Sequence, residues 1–388
     1  MKNNSRFIQF LSPLVIYIIL ISPANAQINW NEFREPDGIL QRLTIDPRIT
    51  FISNNSDFNN TDSKSFRGQM LTRYSINKVQ EKSIAGLNIS HNLIYNNQSD
   101  VNESTNSTEN EIQIIGTYTQ YLSERRGFFL RGQPNFRYEY NSDFNTSHIY
   151  QLAGRFMIGY GRLENVSTVY QAIRIDKNLY GNEGIDQEKL YALASTLREI
   201  DFNNALDTRM RTVENQAEYL QTLEEYGYDV SSYINIANAI DMFRFERPNI
   251  VQHGHELAIG LLPSISNTSS NTVLPIITGT YAKAISDIWH WNVSVEIAPD
   301  LFSNNDRGFA SIFNTISYIP TARTQISFNQ VYQHRSFDEF LNLRLNASYF
   351  VSPQLNLFFS TRFTLSETDF ISNSNSFSHD MGLKYFFF

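Results

Sequence analysis

The sequence predicts an all-β membrane protein: a closed antiparallel transmembrane β-barrel of about fourteen strands, with an α-helical subdomain inserted in one turn. Three observations predict it. Segments that alternate apolar and polar residues recur along the chain, separated by breaks rich in Asn, Ser, Asp and Gly. Such alternation marks a strand with one greasy and one wet face. Aromatics make up 14% of the residues, with 29 Phe and 21 Tyr, yet past the N-terminus there is no run of about 18 apolar residues of the kind a membrane helix needs. Between Gly161 and Ile250 the period of the apolar residues changes from two to about 3.6, which is helical.

Taken in order, residues 1–26 read as a secretory signal. Lys2 and Arg6 make a basic start, Leu11 to Ile21 an apolar stretch, and Ala24-Asn25-Ala26 an A-x-A cleavage site. A polar lead-in, 27–41, follows and is too short for a plug domain. The chain has no cysteine, so neither a disulfide framework nor a thiolate metal site is expected. Its net charge of −8 argues against nucleic acid as a partner, since that needs a basic face.

The first set of barrel strands occupies 42–162, with strands near 42–53, 65–78, 82–96, 110–122, 127–141 and 147–161. The second set occupies 251–388, with strands near 251–264, 272–285, 287–301, 307–319, 321–334, 338–351, 354–366 and 376–388. Alternation is clean in several. In 338–351, Leu341, Leu343, Leu345, Ala347 and Tyr349 oppose Asn342, Arg344, Asn346 and Ser348. In 127–141, Phe128, Leu130, Phe136 and Tyr138 oppose Arg131, Asn135, Arg137 and Glu139. The greasy face is assigned to lipid, where an Arg at mid-bilayer would cost about 2–4 kcal/mol. Breaks at 54–64, 97–109, 142–146, 265–271, 302–306, 335–337 and 367–375 read as outer loops. The tighter breaks at 123–126, 286–287, 320 and 352–353 read as inner turns. Tyr160, Trp289, Trp291, Tyr349, Tyr385 and Phe387 then fall at the inner interface as an aromatic girdle.

The last strand runs Asp380-Met-Gly-Leu-Lys-Tyr-Phe-Phe-Phe388. Asp380, Gly382, Tyr385 and Phe387, with Phe388 one residue beyond, resemble the C-terminal targeting signal of bacterial outer-membrane β-barrel proteins of the porin-like and transporter-like kind. The resemblance covers that strand alone. It implies residence in the outer membrane, contact with its lipid, and dependence on the outer-membrane assembly machinery, which reads the last strand.

The helical insertion is placed at 163–250, with 164–176 as its first helix. Leu190, Leu193, Leu197 and Ile200 share a helical face. Leu206, Met210, Val213, Ala217 and Leu220 form an a/d-type seam on a helix that ends near Gly227, a candidate docking surface for a periplasmic protein partner. Val230, Tyr233, Ile234, Ala237 and Ile240 make another face, with Asp229 as its cap. The insertion is expected to face the periplasm; the alternative is that its helices plug the barrel.

By parity Arg131, Arg137, Arg155, Arg344, Arg362 and Lys384 point into the lumen, together with Glu139, Glu296 and Asp380. They form either a wall that draws anionic solutes or a salt-bridge network that fills the interior. The expected function is a pore or channel for polar or anionic solutes or glycans. The alternative is an export, assembly or scaffold component that docks partners on its insertion. An outer-membrane enzyme such as a phospholipase is more distant, because no local signature assembles a nucleophile and base. His253-Gly-His255 offers two imidazoles without a third ligand, so no metal site is expected. No catalytic residue and no cofactor is assigned.

Overall fold

A computed structural model of the chain describes residues 29–30, 32–56, 61–99, 104–123, 127–142, 147–179, 186–203, 214–245, 251–268, 271–299, 308–321, 323–335, 338–352, 355–368 and 371–385. Six strands come first: β1 (Gly38–Ser56), β2 (Thr61–Gln80), β3 (Ser83–Ser99), β4 (Ser104–Tyr121), β5 (Phe128–Asn141) and β6 (Ser147–Asn165). Four helices follow: α1 (Ser167–Leu179), α2 (Gln187–Asn203), α3 (Glu214–Glu225) and α4 (Tyr233–Phe245). Eight more strands complete the chain: β7 (Gln252–Ser266), β8 (Thr272–Ala284), β9 (Trp289–Ala298), β10 (Phe309–Thr321), β11 (Thr324–Arg335), β12 (Asp338–Phe350), β13 (Leu355–Thr368) and β14 (Ile371–Tyr385). All belong to one 14-stranded sheet in sequence order, and every neighbouring pair is antiparallel.

The faces separate as the alternation demands. Phe156, Ile158, Leu257 and Ile259 are between 59% and 62% exposed, while their chain neighbours Met157 and Ala258 are buried. The pattern recurs around the sheet, leaving a belt of exposed Leu, Ile, Val, Phe and Tyr on one face. An apolar surface that continuous needs a hydrocarbon or protein cover. Tyr160, Trp289 and Tyr349 are exposed at the short-turn end, where Phe128 meets Tyr160 edge-on at 5.4 Å and Trp289 meets Tyr318 at 4.6 Å. The signal segment, Phe387 and Phe388 lie outside the described residues.

Several expectations are corrected. The sheet is not closed by hydrogen bonds among the described residues: β1 and β14 are its two ends. Residues 375–381 of β14 are exposed on both faces, because one side of that strand has no neighbour to cover it. Second, several assigned loops are strand. β1 to β4 run 17 to 20 residues, longer than the roughly 9–11 that cross a bilayer, and they carry 54–56, 61–64, 97–99 and 104–109 in the ladder. Their Asn- and Ser-rich tips have no apolar contrast, so periodicity cannot reveal backbone pairing there. Third, Asp229 does not cap α4. Its Oδ1 accepts from Ser231 N and Oγ, at 2.9 and 2.5 Å, while the cap is Ser232, whose Oγ accepts the Asn235 N–H at 3.1 Å.

The helices share one core, and the lead-in belongs to it. Val169, Ala172, Ile173, Leu193, Leu197, Ile200, Tyr219, Leu223, Ala239 and Met242 are buried together with Phe33, and Trp30 packs against them. Leu190, Leu193, Leu197 and Ile200 all face this core, as their spacing predicts. The face of α4 differs from the expected one. Ala239, Met242 and Phe243 point inward, Phe243 stacking on Tyr219 at 4.6 Å, whereas Tyr233 and Ile234 are 92% and 73% exposed. Of the a/d seam, Leu206, Met210 and Val213 lie outside the described residues, Ala217 is exposed, and Leu220 packs on the insertion's own core. Gly227 ends α3 with φ +86°, letting Tyr228 N donate to Leu223 O at 3.0 Å.

The insertion leaves and rejoins the sheet at one point. Val166 N donates to Val251 O at 2.8 Å, and Val251 N donates to Ser167 Oγ at 2.9 Å. Gly161 and Gly254 flank this junction with φ +111° and +129°. A Cβ at either would lie 2.1 or 2.2 Å from the carbonyl oxygen of the facing strand, so only glycine lets β6 and β7 approach there.

Candidate functional site

The inward face of β4 to β9 is packed. Tyr121, Phe129, Met157, Ala258, Leu274, Ile276 and Ala298 form a buried cluster, and polar pairs sit among them. Arg131 Nη2 bonds Glu256 Oε2 at 2.7 Å, and Arg131 Nε donates to Thr119 Oγ1 at 2.9 Å. Tyr121 Oη donates to Glu256 Oε1 at 3.1 Å. Arg155 spans from β6 to Glu296 on β9 with two contacts of 2.9 and 3.0 Å. A carboxylate held by a guanidinium and a phenol leaves no strong acceptor facing solvent. These residues therefore hold the wall together.

Toward the loop end the interior opens. A cavity of about 210 Å³ lies beside the Arg155–Glu296 pair, with Ser311, Phe313, Gln333 and Arg335 in its wall. The inward rows of β10 to β13 mix amides, hydroxyls and cations with Phe313, Val331, Phe340 and Phe358. Thr315 donates to Asn329 at 3.0 Å, Asn342 to Thr364 at 3.2 Å, and Arg344 Nε to Ser360 at 2.9 Å.

At the short-turn end the helices lie against the turns. From Ser167 to Asp176 every residue of α1 is buried. Tyr170 Oη donates to Trp289 O at 2.9 Å; burial pushes the pKa of this phenol up, so it stays a donor. Arg174 Nη2 donates to Ile319 O at 2.5 Å and to Asp287 O at 3.3 Å. Lys177 pairs with Asp287 at 2.6 Å. From α4, Asp241 takes Arg323 Nε at 3.0 Å, and Arg323 also reaches Val351 O at 3.4 Å. The β8–β9, β10–β11 and β12–β13 turns are thus tied to the insertion. The lead-in closes the arrangement. Arg34 pairs with Glu164, which takes Arg162 at 2.8 Å, and Arg198 pairs with Glu35. Burial raises the Glu35 pKa, against the opposing pull of Arg198. Arg162, 3% exposed, lies over the Tyr121 ring at 4.6 Å, joining the short-turn end to the buried cluster.

No protein-family model matches the chain, and no curated protein matches it. Solved structures do. The translocator domain of the autotransporter NalP from Neisseria meningitidis aligns over 99% of this chain and 97% of its own, at 11% identity and a TM-score of 0.26. TodX, a monoaromatic hydrocarbon channel studied as a deletion mutant, aligns over 90% and 91%, at 9% identity and 0.36. A mutant of the Rh. blastica porin aligns over 90% and 99%, at 6% identity and 0.26. The chain is similar to bacterial outer-membrane β-barrel proteins. At these identities and scores the likeness says nothing of activity, which has to come from the chain's own side chains.

The lumen residues expected from parity separate into groups. Arg131 and Arg155 are in ion pairs, and Arg137 lies between Glu111 and Glu139 at 2.7 and 3.0 Å. Arg344 and Arg362 are direct cross-strand partners. The Lys384 side chain lies outside the described residues. Of the last strand, Asp380, Gly382 and Tyr385 pair with Ser360, Phe358 and Leu355, and the Phe358 ring packs on Gly382, where a Cβ would sit 3.1 Å from it. Glu111, Glu256, Tyr121 and Arg162 were missed. The inward parity of Glu111 and Glu256 would have flagged the two acids. Arg162 escapes parity because the positive φ of Gly161 breaks the alternation just before it. His253 Nδ1 accepts from Ala284 N at 3.3 Å, and its ring stacks on Trp30, so it serves the junction with the lead-in.

Proposed function

We propose that this chain is an outer-membrane β-barrel pore for small polar or anionic solutes, with its short-turn mouth held shut by its own helical insertion. A signal peptide removed after Ala26 exports it. β1 pairs with β14 to close the sheet, and the insertion faces the periplasm. The observation that carries the reading is the contrast between the faces: an exposed apolar belt outside, and a mixed inner face of β10 to β13 on which amides, hydroxyls and guanidiniums outnumber the apolar side chains, under a mouth tied by Arg174 and Arg323. Helices packed on the turns act as a gate, because a solute entering the interior has to pass them.

Planar-bilayer conductance of the full chain tests this. The wild type is expected to stay mostly closed. Arg174→Ala/Arg323→Ala, which removes bonds to three turns and Asp241, is expected to open it at least tenfold more often, with anions favoured in a salt gradient. Protein that shifts on a gel when boiled, yet gives no conductance in either form, would end the pore reading.

One observation favours a second reading, a scaffold that docks a periplasmic protein: the exposed Tyr233 and Ile234 on α4. A partner bound there should be lost from the purified full chain on Tyr233→Ser/Ile234→Ser, with conductance unchanged.

A further inference from the structure

The inward arginines are not equivalent. Arg131, Arg137 and Arg155 each face a glutamate. Arg344 and Arg362 face each other: they are register partners on β12 and β13, so their Cβ atoms are about 4.5–5.5 Å apart on one face of the sheet. Neither has an ion pair among the described residues. Arg344 donates to Ser360, a hydroxyl that is itself bonded to Asn346 at 3.0 Å. Apart from Asp380, the residues on the rows around the pair are neutral. Asn329 is the β11 partner of Arg344, and Ser378 is the β14 partner of Arg362. Asn342 and Thr364 stand one inward step away, bonded to each other. Asp380 is exposed, opposite Ser360 and diagonal to Arg362.

Like charges directly opposite on a sheet repel and destabilise it. Arg131, Arg137 and Arg155 on the same face are each compensated by a glutamate. Two guanidiniums on neighbouring strands amid hydroxyl and amide donors offer what an oxyanion needs, several N–H groups from two cations plus neutral donors. We infer that Arg344 and Arg362 form an oxyanion subsite in the lumen that binds a small tetrahedral anion such as inorganic phosphate. This deepens the pore reading and rests on it for its role in transport, but binding itself needs no open mouth. The bound anion supplies the negative charge that the strands do not.

The test uses the full chain in detergent, with thermal unfolding followed by tryptophan fluorescence. Inorganic phosphate is expected to raise the midpoint by several degrees over chloride at equal ionic strength and pH, increasingly with concentration, as binding to the folded state alone requires. Arg344→Gln/Arg362→Gln is expected to reverse both parts of the signature. Its midpoint in chloride rises above wild type, because the repulsion is gone, and phosphate no longer shifts it. Arg362→Gln alone, at an exposed position, should lose most of the phosphate shift. Arg137→Gln should keep all of it. A wild type indifferent to phosphate overturns the inference, as does a double variant that keeps the shift or is less stable in chloride. Absence of conductance with the phosphate shift intact would count against the pore and leave the subsite standing.

Discussion

Glu256→Ala is expected to destabilise the folded chain by about 3 kcal/mol or more, the range for removing one partner of a buried ion pair being about 3–5. Glu256 is 8% exposed and holds both Arg131 and the Tyr121 hydroxyl. Its loss strands a guanidinium among Phe129, Met157 and Ala258, with Thr119 as the hydrogen-bond partner left to it. The cost comes from the orphaned charge more than from the lost attraction, and a second substitution separates the two. Arg131→Met/Glu256→Leu removes both charges and fills the space with apolar atoms, so it should recover most of the loss. Arg137→Ala provides the contrast. Its side chain is 43% exposed and its acids about a third exposed, so it should cost no more than about 1 kcal/mol. Urea unfolding of the four proteins in one lipid or detergent system reads the cycle. If Glu256→Ala and Arg137→Ala cost the same, the packed interior of β4 to β9 is not the support described above.

How much of this was legible in the sequence depends on the kind of information each feature needs. Period two is local, so β12 and β13 could be read residue by residue from Leu341 to Leu365. The helical period gave the Leu190–Ile200 face for the same reason. Register is not local. Parity puts Arg344 and Arg362 on the inward face but cannot say that they share a row, because that depends on the length of the 351–354 turn between their strands. Curvature is less local still. Arg131 meets Glu256 across one intervening strand, and Arg155 meets Glu296 across two, pairings that exist only once the sheet bends. The face of α4 was misread for a related reason. Tyr233 and Ile234 are apolar, yet the inward side of that helix is chosen by Tyr219 of α3 and by Asn178, which touches Met242. At the strand tips polarity is uniform, so nothing in the pattern distinguishes a paired ribbon from a loop.

The largest effect concerns the two ends of the sheet. In hydrocarbon an unpaired backbone N–H or C=O costs several kcal/mol, and an open edge along the membrane-crossing part of β1 or β14 would present a row of them. Few side-chain interactions in the chain could offset that, so the open order β1 to β14 is expected to close once lipid surrounds the belt. The absence of native cysteine makes the test clean. Cysteine pairs placed at Leu43 or Ile45 on β1 and Met381 or Leu383 on β14 sample neighbouring registers on the outward face. At least one pair is expected to oxidise to a disulfide in the membrane and to change the migration of the boiled protein. Leu357→Cys/Leu383→Cys, whose positions are register partners in β13 and β14, is the positive control. Ile45→Cys/Ile259→Cys, on distant strands, is the negative one. Failure of all four β1–β14 pairs while the β13–β14 control forms would mean that the edges stay apart in lipid. The proposed lumen, its gate and the solute route would then all lose the wall they require.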